Sequence, residues 1–311
     1  MKKKKGEKIT PAILWKQRWL LVMSVPFVIW LIIFKYIPLW GWTMAFQEVK
    51  PATFALPIWE RTWVGFQNFT DAFKDRLFTQ TLINTLGVSF LDIAVGTIAA
   101  IAFAVLLNEM FFMKFKKVTQ TISYLPHFLS WIIVTGILHD ALSGTGIINE
   151  LLVNFGILDQ PLNFFAYPKY FWPIVAFANV WKETGWNAII YLSAITAIDP
   201  SLYEAANMDG AGRWARIKYV TLPGIKPTIM ILLLMNVGNV LNAGFEIQYL
   251  LGNGLVQSVS QTIDIYVLKW GISQNDFSIG TAAGIFKSLV SIILIVIANQ
   301  IAKRNGEERL F

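Results

Sequence analysis

Long apolar runs dominate this chain, and short polar or charged stretches separate them. Six runs are long enough to cross a bilayer as a helix, which takes about 20 residues: 19–40, 81–107, 118–139, 172–198, 224–251 and 280–302. None keeps the strict apolar–polar alternation of a half-buried strand, so helix is expected in each. The predicted fold class is an all-α membrane protein with six transmembrane helices. The first run is longer than the roughly 7–15-residue core of a signal peptide, and no small-residue cleavage site follows, so it is expected to remain as a span.

Charge sets the direction of these spans. Lys and Arg number seven in the tail 1–18, three in 108–117, three in 197–223 and three in the tail 303–311. The alternate loops 41–80, 140–171 and 251–279 hold four, one and one. Sixteen against six predicts both termini in the cytoplasm. On the opposite side, the Trp-, Phe- and Pro-rich stretch 41–80 should end in a short helix from Asn68 to Phe78. Residues 258–272 (SVSQTIDIYVLKWGI) read as an amphipathic helix lying at the outer surface.

Composition narrows the chemistry. The chain has 311 residues, 55% hydrophobic and only 14% charged, with a mean hydropathy of +0.54. Soluble domains carry roughly a quarter charged residues. The net charge of +7 lies in the tail and beside the apolar runs, which argues for topology and contact with anionic lipid rather than nucleic acid. Cysteine is absent, and the two histidines, His127 and His139, cannot form a paired metal motif. No metal site, cofactor or catalytic group is expected in this chain.

Between the fourth and fifth runs stands YEAANMDGAGRWARIKYVTLP, residues 203–223. Asp199-Pro200 closes the preceding span. Ser201-x-x-Glu204 predicts a capping box with Ser201 as N-cap. The short helix through Tyr203, Ala205, Ala206, Met208 and Asp209 should stop at Gly210, a left-handed cap, with Gly212 as a second hinge. A second helix over about 213–221 carries Arg213, Arg216 and Lys218 and should end at Leu222-Pro223. Ala205 and Ala206 permit close approach of another surface. By spacing alone, a capped helix lying on the membrane fits as well as a docking element.

This stretch resembles the EAA loop of binding-protein-dependent ABC importer permeases. The pattern is Glu204-Ala205-Ala206, three residues, Gly210, nine residues, then Val220-Thr221-Leu222-Pro223. Its one departure is Val220 where the family has Ile. LPHFLSWIIVTGIL at 125–138, VWKETGWNAIIYLSAITAIDPSLYEAA at 180–206 and the FKSLVSIILIVIANQIAKR end are similar to the LplB-type permeases of the carbohydrate-uptake group. The resemblance implies a type I importer permease in a bacterial cytoplasmic membrane, passing an oligosaccharide or polysaccharide fragment. It also implies a second, non-identical permease, two ATPase subunits that use ATP and Mg, and an extracellular solute-binding lipoprotein. Ser201, Tyr203, Glu204, Ala205, Ala206, Met208, Asp209, Gly210 and Arg213 would then form the coupling element that docks on an ATPase. GxxxxGK[ST] does not occur; GTAAGIFKS at 280–288 has the wrong spacing and reads as a helix-packing face.

Ionisable and amide side chains within spans mark candidate substrate contacts. Glu183, Asn187 and Tyr191 share a face of the fourth span at i, i+4, i+8. Asn236, Asn239 and Glu246 fall near one stripe of the fifth, with Asn242 to the side. Such groups also serve simply to hold helices together. An alternative is an ion-coupled secondary transporter using Glu183, Glu246 and Asp92. Against it stand the lack of an internal repeat and of interrupted helices. A membrane-embedded hydrolase would need a nucleophile motif such as GxSxG, which does not occur.

Overall fold

A computed structural model describes residues 15–310, so the basic tail expected over 1–18 lies, up to residue 14, outside the described residues. Apart from an isolated bridge between Gln47 and Trp63, the ordered elements among these residues are helical. Helix α1 (Arg18–Leu31) continues through a π turn at Ile32–Tyr36 and 3-10 turns at Ile37–Phe46. It is apolar on all sides and buries nothing before Ala45, so its surroundings are lipid or another membrane chain.

The helix expected over 68–78 is divided. Helix α2 (Gln67–Lys74) ends at Asp75, whose carboxylate accepts the Leu77 N–H at 2.9 Å and so starts α3 (Arg76–Asn108). Long α3 runs beside α7 (Pro168–Thr196) in the same direction. Val88 packs with Phe171 and Val175 at one end, and Ala100 and Ala104 with Ala188 and Tyr191 at the other. Small side chains bring the backbones together, since between membrane helices packing rather than water expulsion drives association.

Two expected spans are interrupted. In place of a helix over 118–139 stand α4 (Met113–Tyr124), one tight turn at Leu125–Phe128, and α5 (Trp131–Leu142). Pro126 removes a ladder N–H and would crowd the carbonyl four residues back, which ends α4. Ser130 then caps α5 by accepting the Ile133 N–H. Helix α6 (Ile147–Asn154) follows after a turn.

The run 224–251 is likewise split into α9 (Leu222–Gly238) and α10 (Phe245–Leu251), joined through Gly244 at φ +66°. The absence of interrupted helices expected from the sequence is therefore corrected. So is the end at Leu222-Pro223: helix runs unbroken from Arg213 to Gly238. A π turn at Ile217–Thr221, closed by the Leu222 N–H on the Ile217 carbonyl, accommodates Pro223 without a break.

The stretch expected as one amphipathic helix over 258–272 is also two pieces, α11 (Gln257–Ser260) and α12 (Ile263–Leu268), the latter extended by a π turn to Ser273. Side chains of α3 and α7 hold the break. Asn84 donates to the carbonyls of Ser258 (3.0 Å) and Gln261 (2.9 Å), Thr85 accepts from Ile263 N (3.0 Å), and Trp172 donates to Val259 O (2.9 Å). Last comes α13 (Phe277–Arg304). Its Ser278 joins Val49 N and Gln47 O, each at 2.7 Å, and Asp264 of α12 pairs with Lys287. Asn68 donates to the carbonyls of Ala45 and Gln47, both at 2.9 Å, and so clamps that segment to α2.

Five stretches are long and apolar enough to cross a membrane: Arg18–Phe46, Arg76–Asn108, Trp131–Asn154, Arg213–Gly238 and Phe277–Arg304. With 29 residues, α7 has the length as well, about 44 Å at 1.5 Å per residue, but carries Lys182 and Glu183.

Helix α7 crosses α4 at Gly185, where a Cβ would stand 2.0 Å from the Ser123 backbone oxygen. Gly185→Ala is expected to cost roughly 1–3 kcal/mol through overpacking. Gly136→Ala on α5 meets nothing within 4 Å and should be neutral or stabilising by about 0.5–1 kcal/mol. Thermal unfolding of the detergent-solubilised protein checks both; equal melting temperatures would refute the close crossing.

Candidate functional site

The break after α4 leaves the His127 carbonyl outside the helical ladder, and α7 answers it. Lys182 Nζ donates to His127 O at 2.6 Å and to Glu183 Oε1 at 3.1 Å. Glu183 Oε2 lies 2.7 Å from His127 Nδ1, and the imidazole stacks on Trp186 with centroids 4.4 Å apart. Trp131 stands 5.3 Å from Lys182 Nζ. The Lys182 side chain is only 7% exposed, and a cation so buried is tolerable only when paired and hydrogen-bonded. The sequence shows only that His127 and His139 form no paired metal motif; the structure makes His127 the joint of an ionic cluster.

Beside this cluster, a cavity of about 300 Å³ opens between α3, α7 and α9. Glu183, Asn187, Tyr191 and Asn236 line it, together with Asp92, Asn179 and Asn242. The face predicted on α7 therefore exists. Asn179 extends it by one more step of four, a signal the sequence carried. Asp92 Oδ2 accepts from Asn179 at 2.8 Å, while its Oδ1 is buried without a partner.

The stripe predicted on the fifth span does not form, because the helix ends at Gly238. Asn239 becomes its cap, donating to Met235 O at 3.1 Å and accepting from Asn242, and is not among the lining residues. Glu246 sits on α10 and lines a second cavity of about 480 Å³ with Lys182, Trp131 and Tyr249. Tyr249 is shared with a third, of about 300 Å³, against α11 and α12. The second and third spaces therefore meet at Tyr249 on α10, while the first ends at Gly244, just before that helix. Among the described residues no three His, Asp or Glu side chains converge as a metal site would require.

At the other end lies α8 (Pro200–Met208). Its N-cap is Asp199, accepting the Ser201 N–H at 2.9 Å, so the expected capping box of Ser201 and Glu204 is not formed. Pro200 explains the shift: its fixed φ suits the first helical position and moves the start forward by two residues. Hydrogen bonds from Ser201 hold the Asp199 carboxyl below the usual carboxylate range.

The C-terminus behaves as predicted. Gly210 has φ +74°, its N–H donates to Asn207 O at 3.0 Å, and Ala211 N–H donates to Ala206 O at 2.9 Å, a Schellman closure. Tyr203 OH meets Thr221 Oγ1 at 3.0 Å, Arg216 donates to Asn207 at 2.7 Å, and Arg213 lies 4.5 Å from the Phe111 ring. These contacts leave Glu204, Ala205 and Asp209 exposed, with Met208 88% and Trp214 82% accessible. Ala206 is half-buried.

Residues 92–306 match the family described as binding-protein-dependent transport system inner membrane component. Over 297 residues, 95% of this chain and 91% of the other, the chain is 42% identical to the polygalacturonan/rhamnogalacturonan transport system permease protein YteP of Bacillus subtilis. It is 41% identical to protein LplB of the same organism, covering 96% of this chain and 93% of that one. In three dimensions it is similar to a chain of a bacterial alginate ABC transporter solved with an alginate pentasaccharide-bound periplasmic protein. There the TM-score is 0.87 and the identity 35%, over 96% of this chain and 99% of that chain.

The cap assignment separates two substitutions. Asp199→Ala should speed amide hydrogen exchange at the start of α8 about fivefold, the effect of a typical lost cap, whereas Ser201→Ala should change it little. Because the Asp199 pKa is depressed in the folded chain, its contribution is full above the ordinary carboxylate pKa and fades as pH falls through the lowered value. Asp199→Ala should remove that acid sensitivity. Faster exchange in Ser201→Ala alone would restore the capping box.

Proposed function

We infer that this chain, which belongs to the family of binding-protein-dependent transport system inner membrane components, is the permease subunit through which a saccharide, delivered by an extracellular binding protein, enters the cytoplasm. The observation that carries the saccharide is identity of 42% along almost the whole chain to a polygalacturonan/rhamnogalacturonan transport system permease protein. A second permease completes the pathway, and two ATPase subunits hydrolyse ATP on the cytoplasmic side.

Geometry supports the following roles. Side chains around the first cavity offer hydroxyl-bonding groups, Asn187, Asn236 and Glu183, beside the Tyr191 ring, which suits a sugar's mixed polar and flat apolar faces. Asn239 stands outside that wall and acts as a helix cap. On the cytoplasmic side, α8 offers Glu204, Ala205 and Met208 on an exposed surface, backed by Tyr203 and closed at Gly210. That is the form of an element that fits a groove on an ATPase. ATP-driven closure of the ATPases would move α8 and alternate access to the cavities.

Ion coupling is not favoured. The structure does interrupt two spans, so that objection falls, but the family is one of binding-protein-dependent transport. Glu183 is moreover tied to Lys182 and His127.

Gly210→Pro removes a required N–H and a positive φ, and Glu204→Lys reverses charge on the exposed face. Both should leave membrane insertion intact and abolish uptake together with binding-protein-stimulated ATPase activity. Normal uptake in either would refute coupling through α8. Asn187→Ala and Asn236→Ala should each lower uptake of a labelled galacturonate oligosaccharide by about tenfold, with ATPase coupling retained. Unchanged uptake in both would remove the first cavity from the pathway.

A further inference from the structure

The third cavity, between α10, α11 and α12, belongs to neither the charged cluster nor the coupling helix. Eight of its twelve lining residues are polar, and Lys269 is the single acid or base among them apart from the Tyr249 phenol. At its wall, Gln248 is 0% exposed, and both polar atoms of its carboxamide lack a hydrogen-bond partner. A buried amide with neither bond is costly, and it stands in the wall of a space large enough for a sugar ring.

Lys269 is half-buried and has no ion pair among the described residues. Its neighbour Lys287 shows what a satisfied lysine looks like here, being matched by Asp264. The side chains of Gln257 and Gln261 also enter no hydrogen bond among the described residues, while Asn253, on the same wall, is fully engaged with Phe165 O and Leu255 N. Tyr249 links this space to the cavity holding Lys182 and Glu246, and its ring, 55% exposed, stacks with Phe245 at 5.4 Å.

We propose that this pocket is an outer subsite of the transport pathway for a carboxylate-bearing sugar residue, with Lys269 binding the carboxylate, the Gln248, Gln257 and Gln261 amides binding ring hydroxyls, and Tyr249 covering the apolar face. The proposal rests on the saccharide-permease reading and adds the place where an acidic sugar is bound and the residue that selects it. An ammonium on a flexible stem suits a carboxylate presented at varied angles. A charge-assisted bond is about twice as strong as a neutral one, so it can separate acid from neutral sugar.

The test gives cells carrying the complete transporter a galacturonate trisaccharide or its fully methyl-esterified, uncharged form, and measures initial uptake over a concentration series. Lys269→Gln should raise the half-saturating concentration about tenfold for the free acid and by less than about twofold for the ester. Lys269→Arg should restore most of the difference, and Gln248→Leu should weaken uptake of both forms. Equal effects of Lys269→Gln on acid and ester, or wild-type uptake by Gln248→Leu, would overturn the subsite and leave the saccharide reading standing. Wild-type cells that take up neither probe would overturn the saccharide reading, and the subsite with it.

Discussion

Where a helix of a membrane protein breaks, the freed backbone groups must be met by other protein groups or by a cavity that admits water. That constraint shapes this chain. The gap between α4 and α5 is met by Lys182 on the His127 carbonyl, and the gap between α11 and α12 by Asn84, Thr85 and Trp172. The link leaving α10 is held by Asn253 on Phe165 O. Each break lies next to a cavity, and each anchoring side chain comes from a helix that is itself unbroken or from the break's own flank. Irregular backbone and enclosed space are thus two faces of one arrangement.

The parallel pair α3 and α7 makes this possible. Alanines and glycines along the pair let it close tightly, so the remaining large and polar side chains are placed by packing rather than by loops. Lys182 and Glu183 are adjacent in sequence, yet they do different work. Lys182 is buried against the break, and Glu183 faces the first cavity while holding His127. A buried ionic cluster is a weak source of stability. Its value here is positional: three groups fix one another's orientation at the junction of two cavities.

Much of this was legible from residue pattern alone. Apolar run lengths located the long helices, and the four-residue spacing of Glu183, Asn187 and Tyr191 located the cavity wall on α7. Gly210 announced its left-handed cap. The interruptions were hidden because apolarity does not distinguish a continuous span from two half-helices. Pro126 and the Gly238–Gly244 link were the available signs, and their weight depends on partners distant in sequence. For the same reason the stripe drawn through Asn239 and Glu246 presumed a helix that stops first. At α8, the S-x-x-E spacing was real, but Asp199 ahead of Pro200 competed for the cap and won through backbone geometry. The pocket of Gln248 and Lys269 left no trace in spacing, since its walls come from three short elements that meet only in the fold.

The unbroken helix from Arg213 to Gly238 has a mechanical consequence. Its 26 residues make a rod of about 39 Å at 1.5 Å rise per residue. One end is bolted to α8 through Tyr203–Thr221 and Arg216–Asn207, and the other carries Asn236 into the cavity wall. A tilt of about 5° at the α8 end would sweep the far end by roughly 3 Å over that length. Such a rod would convert a small push on α8 into a displacement as large as a hydrogen bond is long. Had the chain broken at Pro223, as a proline there suggests, the stroke would have been lost at the joint.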